Sequence, residues 1–178
     1  MDLGFDVVDL GPADHVGVGE EAPDFVRPLV NEEYWEDVAL SALTAEGPVA
    51  LVFHPMDGAF PTTYLWNEIR DRDWRTYETE VVGVSISDPY RHKRLIDERG
   101  IDHRLYADPG NGVAEAFGIA HDLDGMAGIE EPRLAVFVLD ADRTVTWAWV
   151  AREWPEFPDY DAVEAAIEAV EPVPTASA

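Results

Sequence analysis

The stretch "VFHPMDGAFPTTYLWNEI" at residues 52–69 joins two patterns that decide the fold. It begins inside the apolar run "PVALVF" at 48–53, and a continuous apolar run bounded by turn residues is typical of a buried central strand. After Pro61, apolar side chains recur at helical spacing and predict a helix with one buried face. These side chains are Leu65, Trp66 and Ile69. A strand that leads through a short loop into a helix indicates an α/β domain.

Strand and helix patterns alternate along the rest of the chain. Further strands are predicted at 80–87, 104–108, 134–140 and 144–151, and further helices at 90–100, 111–118 and 161–170. Asp161 and Glu164 have the spacing of a capping box, which places the start of the last helix at Asp161. Alternation implies a parallel core, and the two closing strands can be joined antiparallel. We therefore expect an α/β thioredoxin-like fold with a central mixed sheet flanked by helices.

The composition indicates one acidic globular domain. Among 178 residues, 37 are acidic and 12 are basic, and the formal net charge is −25. Lys93 is the only lysine. Because concentrated salt screens self-repulsion of this size, we expect a cytoplasmic protein of a halophilic organism. The charge also disfavours nucleic-acid binding.

The chain divides into three parts by pattern. We expect an N-terminal arm at 1–15, a domain at 16–170 and a disordered tail at 171–178. The longest apolar run, "LAVFVL" at 134–139, is too short to span a bilayer, so no membrane partner is expected.

The chain contains no cysteine. Disulfides, thiolate metal sites and thiol nucleophiles are therefore excluded within it. The five histidines are scattered without helical i, i+4 pairing. His121, Asp122 and Asp124 form a small cluster that lacks the later ligands of a calcium loop, and we interpret it as a polar loop. No metal or cofactor is predicted.

Four stretches, in order, resemble the peroxiredoxins of the alkyl hydroperoxide reductase and thiol-specific antioxidant (AhpC/TSA, redoxin) family. They are "VGEEAPDFVRP" at 18–28, "LVFHPMDGAFPTT" at 51–63, the whole of 81–119, and "PRLAVFVLDADRTV" at 132–145. The resemblance covers about residues 16–170. It implies a peroxiredoxin-type thioredoxin fold and, in the family, a thiol peroxidase activity.

The family's active site has a proline, a threonine and a cysteine at spacing four and then three, with a distant arginine. By this resemblance the proline is Pro55, the threonine position is Ala59 and the cysteine position is Thr62. The arginine position falls on Leu134, and Arg133 stands one residue earlier. Whether Arg133 reaches the site depends on the register of this segment.

A threonine at the cysteine position changes the expected chemistry. A helix N-terminus stabilises an anion by roughly 0.3–1 kcal/mol, which helps a thiol but cannot ionise a hydroxyl near neutral pH. Oxygen also has no counterpart of the sulfenic acid that a thiolate forms with peroxide. We therefore expect no peroxidase turnover and a role as a binding or partner module. The alternative is an antioxidant oxidoreductase that uses a thiol supplied by a partner.

Two residues beside Thr62 are further candidates. His54 could act as a base for Thr62, but no third orienting group is apparent, and a helix-start threonine that satisfies backbone amides is the favoured interpretation. Met56 could scavenge one oxidant as a sulfoxide, although packing is favoured.

The partners expected are a second copy of the chain and a redox or regulatory protein. Homodimerisation is expected by analogy with the family. Trp147 and Trp149 share one face of the strand at 144–151, and that face belongs either to the core or to a subunit contact.

Overall fold

The computed structural model describes residues 7–123 and 125–171. Its strands are β1 (Val8–Asp9), β2 (Val26–Val30), β3 (Trp35–Ala39), β4 (Val49–Phe53), β5 (Glu80–Ser85), β6 (Leu105–Ala107), β7 (Ala120–His121), β8 (Glu131–Pro132), β9 (Ala135–Leu139), β10 (Val145–Val150) and β11 (Glu153–Trp154). Its helices are α1 (Leu40–Thr44), α2 (Phe60–Asp71), α3 (Pro89–Arg99), α4 (Gly112–Phe117) and α5 (Tyr160–Val170), with a 3₁₀ turn at Trp74–Thr76.

Seven strands form one mixed sheet in the order β10-β9-β4-β5-β6-β2-β3. β4, β5 and β6 are parallel, whereas β9 pairs antiparallel with both β4 and β10. The predicted central strand therefore lies inside the sheet, and the closing pair is antiparallel as expected. The predicted fold, a thioredoxin-like mixed sheet flanked by helices, is confirmed.

Side-chain alternation along β4 divides the core into two layers. Leu51 and Phe53 pack on one face of the sheet against α1 and α4. Ala50 and Val52 pack on the other face against α2, α3 and α5. Because β4 has both faces covered, all five of its residues are buried, which explains its continuous apolar sequence.

A glycine on β5 allows α2 to approach the sheet. A Cβ at Gly83 would lie 2.6 Å from the Trp66 ring, 2.5 Å from Leu105 and 3.1 Å from His54 Nε2. The space that a side chain would fill is therefore occupied by Trp66 of α2 and by His54. This contact fixes the helix whose first turn carries Thr62.

The predicted N-cap of the last helix, Asp161, is wrong by two residues. α5 begins at Tyr160, and the side chain of Asp159 accepts hydrogen bonds from the amides of Asp161 and Ala162. Glu164 accepts from Trp74 Nε1 at 2.8 Å instead of closing a capping box. The hydrogen-bond partner of Glu164 is therefore Trp74, a residue distant in the sequence. The spacing of Asp161 and Glu164 could not predict this contact.

The N-terminal segment contacts the domain at several points. β1 pairs antiparallel with β11, and the Val16 amide donates to the Phe117 carbonyl at 3.1 Å. The predicted disordered tail lies outside the described residues, apart from Glu171. Trp147 and Trp149 are half-buried against the α2–α3–α5 side of the core.

Candidate functional site

The loop between β4 and α2 is organised around one backbone carbonyl, that of Pro55. His54 Nδ1 donates to this oxygen at 2.9 Å, Thr62 Oγ1 at 3.0 Å and Ser85 Oγ at 2.8 Å. All three donor residues are fully buried. Since a carbonyl oxygen has two lone pairs, its capacity as an acceptor is fully used within the protein.

Thr62 is closed off by the loop that precedes it. Its hydroxyl also lies 3.2 Å from the Met56 carbonyl, so both acceptors of its proton are backbone carbonyls. A carbonyl oxygen accepts a hydrogen bond but does not remove the proton at neutral pH. The geometry therefore leaves Thr62 as a structural hydroxyl of the first turn of α2. Because His54 donates to the same carbonyl, the pairing of His54 as a base with Thr62, which the sequence did not favour, is not formed. The favoured interpretation was right that Thr62 is structural but wrong about its partners, because the hydroxyl donates to two carbonyls and does not cap backbone amides.

His54 is a neutral side chain in the interior. Burial lowers its pKa to about 4, because removal from water penalises the imidazolium, and the Asp57 charge offsets this only in part. Nδ1 must carry the proton, since the Pro55 carbonyl can only accept. The ring meets the Trp66 ring edge-on, with centroids 5.6 Å apart.

Asp57 and His92 tie the loop to α3. Asp57 Oδ2 lies 2.7 Å from His92 Nδ1, and His92 Nε2 lies 2.9 Å from the Tyr106 carbonyl. Because a carbonyl oxygen can only accept, His92 Nε2 is the donor to Tyr106. The Asp57 amide donates to Ser87 Oγ at 2.7 Å. The loop is therefore anchored to β5 and α3 by buried polar contacts.

Met56 is held by a buried carboxylate. Its amide donates to Glu131 Oε2 at 2.8 Å, and Glu131, in β8, is 1% exposed. The Met56 side chain is half-buried and borders a surface groove of about 710 Å³. The loop is thus fixed on this side as well.

Apart from Pro55, the other positions implied by the resemblance form no side-chain hydrogen bond with Thr62. Ala59 is the N-cap residue of α2 and offers no side-chain hydrogen bond there. Arg133 donates to the carbonyls of Leu10 and Gly11 at 3.2 and 2.6 Å, and also to Ala151 at 3.2 Å. Burial lowers the pKa of this guanidinium. Leu134 is buried among the apolar side chains on the α2 side of the sheet.

Two surface grooves border the loop, one on each side. The larger contacts Met56, and the smaller, about 250 Å³, contacts Asp57, Gly58 and Thr63. Neither is lined by Pro55, Ala59 or Thr62. Thr62, the cysteine position implied by the resemblance, is fully buried and borders neither groove.

Sequence reasoning missed Asp57, Ser85 and His92 as parts of this network. A signal for one of them was present, because His92 stands three and four residues before Leu95 and Ile96, the apolar positions of the buried face of α3. A histidine on such a face requires polar partners. The partners themselves come from distant segments and have no pattern of their own.

No group of three or more His, Asp or Glu side chains is arranged to hold a metal ion within 7–123 and 125–171. His121 Nδ1 lies 3.2 Å from Asp122, while Asp124 is outside the described residues. In the same part of the chain, every helix is too short or too polar to cross a membrane.

The sequence model of the AhpC/TSA family matches residues 18–148. The chain belongs to the AhpC/TSA family. Among its relatives, a Synechocystis sp. protein named as a peroxiredoxin is 29% identical over 142 residues, which cover 75% of this chain and 68% of that protein. The chloroplastic 2-Cys peroxiredoxin BAS1 of Hordeum vulgare is 28% identical over 119 residues, which cover 62% and 57%.

Solved structures of the family share the fold. The peroxidoxin BcpB of Mycobacterium tuberculosis superposes with a TM-score of 0.73 at 26% identity, over 89% of this AhpC/TSA chain and 100% of that one. The 2-Cys peroxiredoxin of Plasmodium vivax gives the same TM-score at 21% identity, over 86% and 95%. The family resemblance and the peroxiredoxin-type fold predicted from the sequence are confirmed.

Proposed function

We propose that this AhpC/TSA protein has no peroxidase turnover and acts as a binding or partner module. The observation that supports this most directly is the state of Thr62. It stands at the cysteine position implied by the resemblance, is fully buried, and donates its hydroxyl to the carbonyls of Pro55 and Met56. The chain supplies no sulfur nucleophile elsewhere, because it contains no cysteine.

The structure around Thr62 is compatible with a binding role. The loop is held on both sides by buried polar contacts, from His92 and from Glu131, so its outer surface is rigid. Rigid loops on an ordered scaffold are the usual place for recognition. Exposed aromatic side chains, Tyr64 and Phe157, stand beside the start of α2 with ring centroids 6.5 Å apart and offer a surface for a second copy or another protein.

The absence of native cysteine makes a single introduced thiol an unambiguous probe. Thr62→Cys buries the thiol where the family has its cysteine, and Thr63→Cys, one residue later, is a control at a half-buried position. We expect Thr63→Cys to react readily with a thiol reagent, and Thr62→Cys to react at least tenfold more slowly without consuming peroxide catalytically. Multiple-turnover peroxidase activity in Thr62→Cys would contradict the closed state of this position, because it would show that peroxide reaches it, whereas turnover by the wild-type chain is tested separately.

The wild-type chain is tested in parallel with hydrogen peroxide and a dithiol reductant. We expect peroxide loss to equal the reductant-only background. A rate proportional to protein concentration would overturn the proposal. A rate that appears only with an added cysteine-bearing protein would favour the alternative, an oxidoreductase whose thiol comes from a partner.

The proposed location is the cytoplasm of a salt-accumulating cell. Support comes from the net charge of −25 and from the use of 11 arginines with the single lysine Lys93. Repulsion within such a surface destabilises the compact state, and concentrated salt screens it.

A further inference from the structure

The basic residues of this acidic chain are concentrated on one helix. Of the 12 lysines and arginines in the sequence, four lie on α3. They are Arg91, Lys93, Arg94 and Arg99. A helix of 11 residues thus carries one third of the positive charge of the chain, which makes it the most basic segment of an otherwise negative surface.

These four cations form no ion pair with a carboxylate in the described part of the chain. Six other arginines each form at least one such pair. They are Arg27, Arg70, Arg72, Arg75, Arg104 and Arg143. Although acidic residues are three times as numerous as basic ones, the three arginines of α3 are without a carboxylate partner in the described part of the chain, so their guanidinium groups are available to a ligand.

Three of the four converge on the smaller groove beside the loop. Arg91, Arg94 and Arg99 line one wall of this cavity of about 250 Å³. Gly58 and Thr63, from the approach to α2 and its first turn, line the other. Arg91 and Arg94 are three residues apart and therefore share a face of α3. Lys93 lies on the same helix but does not line the groove.

Two carboxyl groups also border the groove, and a negative charge there would oppose the binding of an anion. The Asp57 side chain is 6% exposed and its Oδ2 lies 2.7 Å from His92 Nδ1, so this carboxyl group is largely buried and already has a partner inside the protein. Glu98 is exposed on α3, one turn beyond Arg94. Three arginines therefore line the groove together with one exposed carboxyl group, that of Glu98.

We propose that this groove binds a phosphate-type oxyanion. Arginine presents a planar fork of donors that matches phosphate oxygens, and two such forks face the groove from one helix face. The opposite wall is the start of α2, a helix of 12 residues whose N-terminal dipole also favours negative charge. A cavity of about 250 Å³ is below the usual range for drug-sized ligands, which limits the occupant to a small group.

A phosphate site would supply the ligand of the proposed binding function, and its biological role rests on that proposal. The bound group is either inorganic phosphate or the phosphate of a small monoester, because both present the same dianionic oxygens. Phosphate binding and peroxide consumption are separate measurements on one preparation. If phosphate does not bind, the proposal that the protein lacks peroxidase turnover still stands. If the protein turns over peroxide, that proposal is wrong whether or not the groove binds phosphate.

The test compares two substitutions on one helix that remove the same charge. Calorimetric titration with inorganic phosphate, at constant ionic strength set by potassium chloride, is run on the wild type, on Arg94→Gln and on Lys93→Gln. We expect saturable binding to the wild type, an affinity loss of about tenfold or more in Arg94→Gln, and a change below threefold in Lys93→Gln. A parallel titration with glycerol phosphate shows which source binds more tightly.

Three results would overturn the inference. One is no phosphate binding above the chloride background with either ligand. Another is equal weakening by both substitutions, which indicates diffuse attraction to the whole helix. The third is unchanged affinity in both Arg94→Gln and Arg91→Gln, which places the phosphate elsewhere.

Discussion

At the residue scale, the Pro55 carbonyl explains why a threonine suits position 62, to which the resemblance assigns the cysteine. Thr62 donates to it together with Ser85 and His54, and a thiol is a weaker donor than a hydroxyl. The threonine therefore contributes to the loop as a hydrogen-bonding group rather than as a nucleophile.

Removal of that hydroxyl should destabilise the fold. Thr62→Val keeps the shape and loses the bonds to Pro55 and Met56. We expect the free energy of unfolding to fall by about 1–2 kcal/mol in urea denaturation, since buried acceptors lose a donor. Thr63→Val, at a half-buried position one residue later, should change it by less than about 0.5 kcal/mol. Equal costs for the two variants would mean that the Thr62 hydroxyl has no structural role.

His54 should make stability depend on pH in the acid range. Its pKa is about 4 in the folded chain and 6.5 without perturbation, so between these values the unfolded chain binds more protons. The contribution of neutral, buried His54 to the free energy of unfolding is therefore fully present above pH 6.5. It is lost as the pH falls toward 4, and its total is about 3 kcal/mol.

The measurement is the free energy of unfolding at several pH values for the wild type and His54→Gln. The difference between them should narrow as pH falls from 6.5 to 4, because the variant lacks the titrating ring. His121→Gln, which removes a histidine with a side chain 30% exposed, serves as the control. A constant difference for His54→Gln across this range would contradict the burial argument.

At the scale of elements, periodicity predicted the strand–loop–helix unit and most of the sheet. β4 was readable because both of its faces are buried, and α2 because Leu65, Trp66 and Ile69 line one face. The β2–β3 hairpin was not predicted. Its strands, "VRPLV" and "WEDVA", contain a proline and charged residues, and an edge pair of this composition has no strand signal.

The packing of α2 on β5 should be sensitive to a single methyl group. Gly83→Ala places a carbon 2.5–2.6 Å from Leu105 and Trp66, both fully buried, so neighbours must shift. We expect a loss of about 1–3 kcal/mol in the free energy of unfolding by urea. Gly110→Ala is the matched control because its added methyl group meets no atom within 4 Å. A Gly83→Ala protein as stable as this control would show that α2 is not fixed by the contact.

At the scale of the whole molecule, charge should govern stability. A formal charge of −25 on 178 residues repels itself, and potassium chloride shortens the Debye length from about 10 Å at about 0.1 M to about 3 Å at about 1 M. We expect the melting temperature to rise steadily over this range. A flat or falling melting temperature in differential scanning calorimetry would contradict the salt-adapted interpretation.

The site was only partly predictable from the sequence. The resemblance assigned active-site positions to Pro55, Ala59 and Thr62, because these positions share one short motif. It could not show that Arg133 binds the carbonyls of the N-terminal segment, since that depends on how residues 10–11 cross the domain. It also could not show the Asp57–His92 tie, which joins segments 35 residues apart.

The most direct test counts hydroperoxide molecules destroyed per chain by the purified, metal-free protein with excess dithiol. Three methionines are present, and each can be oxidised once to a sulfoxide. The account predicts that consumption above the protein-free background stops at or below three equivalents. Continued consumption through tens of equivalents, at a rate proportional to protein concentration, would contradict it.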